Sequence, residues 1–216
     1  VQASDASNAD AEKSVSWPKT WQVRGEIFQA IGQSKDENFK KLSNDPFGEA
    51  FSSYKKAMEL DPKHAIDKSI KMNLVLLTND FTNQAVQAFQ NEDYNKALES
   101  FERIMEINNM PVIKADNPNS VDTVIIFNSA LAAYNAEKYD VAVKYYKESA
   151  KYGYNGARTY SLMAAAYQMQ KDTVSALTCL QEGSQKYPDD NSILESMIQI
   201  YMDRGKTDEA LANLEK

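Results

Sequence analysis

The feature that most restricts the fold of this chain is a period. Ala142, Ala176 and Ala210 are spaced by 34 and 34 residues, and Tyr146, Leu180 and Leu214 keep the same step. Ile126, Tyr160 and Leu194 keep it too, and in each copy this first bulky residue precedes the alanine by 16. Phe81 and Ala97 also stand 16 apart. A short unit repeated at fixed spacing cannot bury its apolar face alone, so copies must stack into a continuous core. Two helices in antiparallel contact fill each unit. Ala130 and Ala164 on first helices, and Ala97, Ala142, Ala176 and Ala210 on second helices, let backbones approach closely. Bulky residues such as Tyr54, Phe101, Tyr146, Tyr160, Tyr167 and Leu180 fill the gaps at interior density. The polar turns "NEDY", "AEKY", "QKDT" and "RGKT" join the helices. Seven glycines and six prolines in 216 residues are too few for an all-β chain with many tight turns.

The N-terminal copy reads "WQVRGEIF", with Trp21, Gly25 and Phe28, followed by Ala50, Tyr54, Ala57 and Pro62 in "AFSSYKKAMELDP". The fourth copy supplies Tyr160, Met163, Ala164, Tyr167, Ala176, Leu180, Gly183 and Pro188. With its 34-residue step, this pattern resembles the tetratricopeptide repeat (TPR) over roughly residues 18–216. The resemblance implies an all-α fold: an α-solenoid of about five helix-turn-helix repeats in a right-handed superhelix. The repeats fall at about 18–64, 65–111, 123–156, 157–190 and 191–216, with a loop at 110–122 and a flexible polar leader at 1–17.

Three stretches break the period. Trp21 to Ala50 is 29 residues rather than 16, an excess of 13 placed in "GQSKDENFKKLSNDP" between the helices of the first repeat. Ala50 to Ala97 is 47, again 13 over, and the excess lies before Phe81. There Ile66, Ile70, Leu74, Leu77 and Phe81 form a helical stripe, predicting a first helix extended from about 64 to about 90. Its surplus apolar face needs cover, and Phe39 and Leu42 of the first insertion are the expected cover. Ala97 to Ala142 is 45, an excess of 11 in "MPVIKADNPNSVD", whose two prolines predict a loop rather than a helix.

Bulk properties exclude several functions. The net charge of −7, from 31 acids against 24 bases that are interleaved rather than clustered, disfavours nucleic acid. Cys179 is the single cysteine and His64 the single histidine, so neither an internal disulfide nor a metal cluster built on His and Cys can form. Cys179 sits at helical spacing from Leu177 and Leu180 and reads as a half-buried thiol, not a nucleophile. Neither a Gly-rich phosphate loop nor a Ser–His–Asp set appears. The chain is thus expected to be no enzyme and to need no cofactor. No apolar run reaches the ~18 residues of a membrane span. The leader "VQASDASNADAEKSVSWP" is read as what remains after an export signal, mature or lipid-tethered, placing the protein in the periplasm or cell envelope; a cytoplasmic chain with a trimmed Met is the alternative.

In TPR proteins the first helices line a groove that holds a partner's peptide or helix. By helical offset the groove positions are Asn79, Thr82, Val86, Phe89 and Gln90 in the second repeat, and Val124, Phe127, Leu131, Tyr134 and Asn135 in the third. They are Arg158, Ser161, Ala165, Gln168 and Met169 in the fourth, and Ser192, Glu195, Gln199, Met202 and Asp203 in the fifth. The aromatics, Arg158 and the methionines are the expected anchors. Only Arg158 and Asn135 match the Lys, Asn and Arg of the family's carboxylate clamps, and Glu195 and Asp203 oppose one. The expected function is a non-catalytic interaction scaffold, monomeric or weakly dimeric. The alternatives are a regulatory piece of an enzyme complex and self-assembly through the uncapped C-terminal end.

Overall fold

A computed structural model describes residues 14–205 and is all-helical over that range. Ala210 and Leu214, and with them the second helix expected for the fifth repeat, lie outside the described residues. After a single turn of 3-10 helix at Ser14–Ser16, the helices are α1 Pro18–Gln33, α2 Glu37–Lys40, α3 Pro46–Glu59, α4 Asp67–Gln90, α5 Tyr94–Asn108, α6 Pro111–Lys114, α7 Thr123–Asn135, α8 Tyr139–Lys151, α9 Ala157–Met169, α10 Thr173–Lys186 and α11 Asn191–Asp203. Over the described residues they form two compact units, residues 14–84 with 106–120, and residues 85–105 with 121–205.

In the first unit α1 packs against α3. Gly25 makes this close: a Cβ there would stand 2.3 Å from the ring of the fully buried Tyr54. The Tyr54 hydroxyl donates to Gln29 Oε1 at 2.8 Å, and Gln29 Nε2 donates to Asp80 of α4 at 2.6 Å, so the buried polar groups are satisfied in a chain. Burial, with Glu26 and Asp80 nearby, pushes the Tyr54 phenol far above its ordinary range, so it remains a donor. Further contacts pair Ser69 with Gln22, Asn73 with Glu26, and Asp80 with Gln33. Rising numbers meet rising numbers, so α1 and α4 run parallel, as first helices of adjacent repeats do.

α4 is 24 residues long, about 36 Å at ~1.5 Å per residue, as the apolar stripe predicts. The expected cover is wrong, however. Phe39 and Leu42 are 52% and 44% exposed, while Leu74 and Leu77 are fully buried. α1 lies alongside the extension instead, and Phe47 at the start of α3 meets Phe81 edge-on at 6.0 Å. The first insertion makes only the one-turn α2, capped by Asp36 accepting from the Asn38 N–H, which is too short to present an apolar face. The segment expected as pure loop also contains one helical turn, α6. Pro111 stands at its first position, where the missing N–H costs nothing. The rest of the segment is pinned: Asp116 pairs with Lys71, and Lys114 donates to the Ser120 carbonyl.

In the second unit the period is geometric. α7, α9 and α11 start at Thr123, Ala157 and Asn191, 34 residues apart, and α8 and α10 start at Tyr139 and Thr173, also 34 apart. Ala130, Ala142, Ala164 and Ala176 are all buried at the helix contacts. Each first helix ends the same way. Glu92, Glu137, Lys171 and Gly205 are left-handed, with φ between 60° and 67°. The next residue's N–H bonds back five positions, Asp93 to Ala88, Lys138 to Ala133 and Asp172 to Tyr167, each at 2.9 Å. This is the six-to-one bond of a Schellman cap, which reverses the chain in two residues. Asp122, Asp172 and Asp190 then cap the N-termini of α7, α10 and α11. The Ser175 hydroxyl and backbone N–H hold the Asp172 carboxyl below its ordinary value.

Candidate functional site

Within the second unit, first helices α9 and α11 lie side by side and enclose an open cleft of about 600 Å³. α9 contributes Arg158, Ser161, Ala165 and Gln168, and α11 contributes Ser192, Glu195 and Gln199. All seven are groove positions expected from the repeat frame. Two more lining residues, Ala164 and Ser196, are not. Ser196 follows Ser192 by one helical turn, and that spacing is the signal by which it was findable. Its hydroxyl lies 3.2 Å from that of Ser161, joining the two helices across the cleft floor. Arg158, Gln168 and Gln199 are exposed on the rim. Gln199 Nε2 donates to Asp203 Oδ1 at 2.7 Å, which presents its amide at a set angle.

The methionines lie farther out. Met169 is 52% exposed and Met202 57%, both in the last turns of their helices. In the third repeat Asn135 is exposed, with its Nδ2 turned back onto the Leu131 carbonyl at 2.8 Å, and Leu131 is half-buried. Phe89 and Tyr134, 45 residues apart, are also half-buried, each stacked edge-on against the first aromatic of the next helix: Phe89 on Tyr94 at 5.1 Å, Tyr134 on Tyr139 at 5.6 Å. They clamp the helical turn as much as they face outward.

Phe127 does not lie in the groove. It is 4% exposed, with its ring edge-on to Tyr146 at 5.8 Å and tilted against Tyr154 at 5.5 Å. Tyr154 belongs to the α8–α9 connection, where the left-handed Gly153, Asn155 and Gly156 fold the chain back and the Thr159 hydroxyl donates to the Tyr154 carbonyl at 2.6 Å. That connection lays an aromatic over a position that helical offset alone assigns to the groove.

Chemistry is sparse. Among the described residues, no group of three or more His, Cys, Asp or Glu side chains could hold a metal ion. Among them, too, no helix is long and apolar enough to cross a membrane. His64 is exposed, with Nδ1 3.1 Å from Asp67. Cys179 is buried, its Sγ 3.2 Å from the Ala176 carbonyl, and burial pushes the thiol up to about 12.

Antiparallel hairpins at a 34-residue step, closed by the same turn and stacked through alanines, define a tetratricopeptide-repeat α-solenoid. Several solved structures are similar to the chain. A TPR repeats protein of Bacteroides fragilis NCTC 9343 is 26% identical over 64% of this chain, with a TM-score of 0.49, and the chain spans 58% of that protein's length. MamA of Desulfovibrio magneticus RS-1 is 14% identical, with 89% of this chain and 92% of that one covered and a TM-score of 0.46. YrrB, described as a TPR protein with an unusual peptide-binding site, is 16% identical over 88% of this chain and 89% of its own, with a TM-score of 0.46. No family model and no curated protein matches the chain.

Proposed function

We propose that this protein is a non-catalytic scaffold that holds an extended segment of a partner protein in the α9–α11 groove. The cleft itself carries the reading: about 600 Å³, open to solvent, and lined from two parallel helices by amides, hydroxyls and one charge of each sign. Gln168 offers two amide donors and an acceptor, Gln199 one remaining donor and an acceptor, the complement of a peptide backbone, and the serine hydroxyls add shorter-reach groups that both donate and accept. Arg158 at one edge and Glu195 opposite give the bound segment a direction. A few such anchors suit a micromolar complex, on the order of −8 kcal/mol. Placement in the cell envelope and a monomeric or weakly dimeric state belong to the same proposal; subcellular fractionation and sedimentation at several concentrations test them.

The decisive experiment is affinity capture from source extract with the wild type and an Arg158→Ala/Gln168→Ala variant. Both side chains are exposed, so the variant retains its fold while losing groove contacts. Loss of the captured proteins supports the groove. Identical capture by both forms overturns it.

A further inference from the structure

The two sides of α9 face different surroundings. Ser161, Ala165 and Gln168 line the groove, whereas Tyr160, Met163 and Tyr167 form the floor of a second cleft, of about 470 Å³, between second helices α8 and α10. Its walls carry Lys147 and Lys151 from α8, and Glu182 and Lys186 from α10. In a chain of net charge −7, a cleft with three ammonium groups and one carboxylate is a local reversal of sign.

The lysines are not equivalent. Lys151 pairs with Glu148 on its own helix and is largely neutralised. Lys147 Nζ sits over the face of the Tyr167 ring, 5.5 Å from its centroid. Lys186 Nζ donates to the Ala150 carbonyl, in the last turn of α8, at 3.1 Å. Both anchors are neutral, so they fix the two ammonium groups without cancelling their charge. Among the described residues neither has a carboxylate within ion-pair distance. Each ammonium has three donors; Lys186 spends one on its anchor, and Lys147, held by a ring face, spends none on Tyr167. An anchored ammonium has already lost its rotamer freedom, which removes one of the main costs that make exposed ion pairs weak.

We propose that this α8–α10 cleft is a second interaction site, one that takes a glutamate-bearing acidic peptide of a partner protein. The carboxylate meets Lys147 and Lys186, and the methylene stem lies on Met163 and the Tyr167 ring. Glu182 in the cleft wall sets the spacing, because a run of adjacent acids is repelled there and an isolated one is admitted. The site is on the opposite side of α9 from the groove, so one hairpin can hold two segments at once.

The test measures fluorescence anisotropy of a labelled peptide with glutamates separated by apolar residues, and of the same peptide with Gln for Glu, on the full chain at low salt. The Glu peptide is expected to bind at least about fivefold more tightly than the Gln peptide, the scale of two partly exposed charge contacts. Lys147→Gln/Lys186→Gln should remove that preference, and Lys147→Arg/Lys186→Arg should retain it. Arg158→Ala/Gln168→Ala should leave it unchanged. Four results overturn the proposal: no binding at millimolar peptide, equal affinity for the Gln peptide, an intact preference in the Lys→Gln variant with native circular dichroism, or displacement by inorganic phosphate as effective as by unlabelled Glu peptide. The last would make the cleft a simple anion site.

Discussion

Replacing Phe127 by alanine separates two accounts of the third repeat. In the structure its ring is buried between α8 and the α8–α9 connection, in contact with Tyr146 and Tyr154. A buried Phe→Ala change costs about 3–5 kcal/mol from lost transfer energy and the cavity left behind. The two aromatic contacts account for about 0.5–1.5 kcal/mol each of the ring's stabilisation beyond its area. Tyr154 lies on a connection containing three left-handed residues and is able to relax into part of the space, so the lower half of that range, about 3–4 kcal/mol, is expected. For a domain of this length that is a drop of roughly 10 °C in midpoint. Urea unfolding followed by helical circular dichroism reads it directly, and Phe127→Leu should recover most of the loss. Partner capture at a temperature where Phe127→Ala is fully folded should match wild type. A loss of stability below about 1 kcal/mol together with a selective loss of capture would refute this placement and return Phe127 to the groove.

Two buried tyrosines should respond oppositely to loss of the hydroxyl. Tyr54→Phe leaves Gln29 short of a donor and should destabilise by about 1–2 kcal/mol. The Tyr146 hydroxyl is buried without a hydrogen-bond partner, so Tyr146→Phe should be neutral or stabilising by about 1 kcal/mol, with denaturant midpoints as the readout. Glu137→Gly should stabilise by about 0.5–1 kcal/mol, because the position is left-handed and glycine adopts that conformation without a Cβ clash. Gly25→Ala should do the reverse, losing about 1–3 kcal/mol against a locked Tyr54 ring despite alanine's higher helix propensity. Cys179 should resist alkylation. With its pKa raised to about 12, the thiolate fraction at pH 8 falls on the order of a thousandfold below that of a free thiol. Modification should speed up as pH rises towards that value, or at once in denaturant, and rapid labelling of the native chain near pH 8 would contradict the burial.

The sequence determined the repeat. A 34-residue step with alanine and aromatic positions in register is a local pattern, and local patterns survive without coordinates because helix geometry converts spacing into facing. Hence the helix pairs, the long α4, and seven of the groove-lining residues between α9 and α11 were legible from spacing alone. What covers a helix face was not legible, because it depends on which distant segments arrive there. The first insertion, carrying Phe39 and Leu42, equals the extension of α4 in length, yet α1 occupies that face as its parallel neighbour. Phe127 has the offset of a groove residue, but three left-handed residues swing Tyr154 over it. The anchored lysines of the α8–α10 cleft are scattered in sequence and meet only because a tyrosine of α9 and a carbonyl of α8 hold them there. Periodicity sets which way a side chain points; tertiary packing sets what it meets.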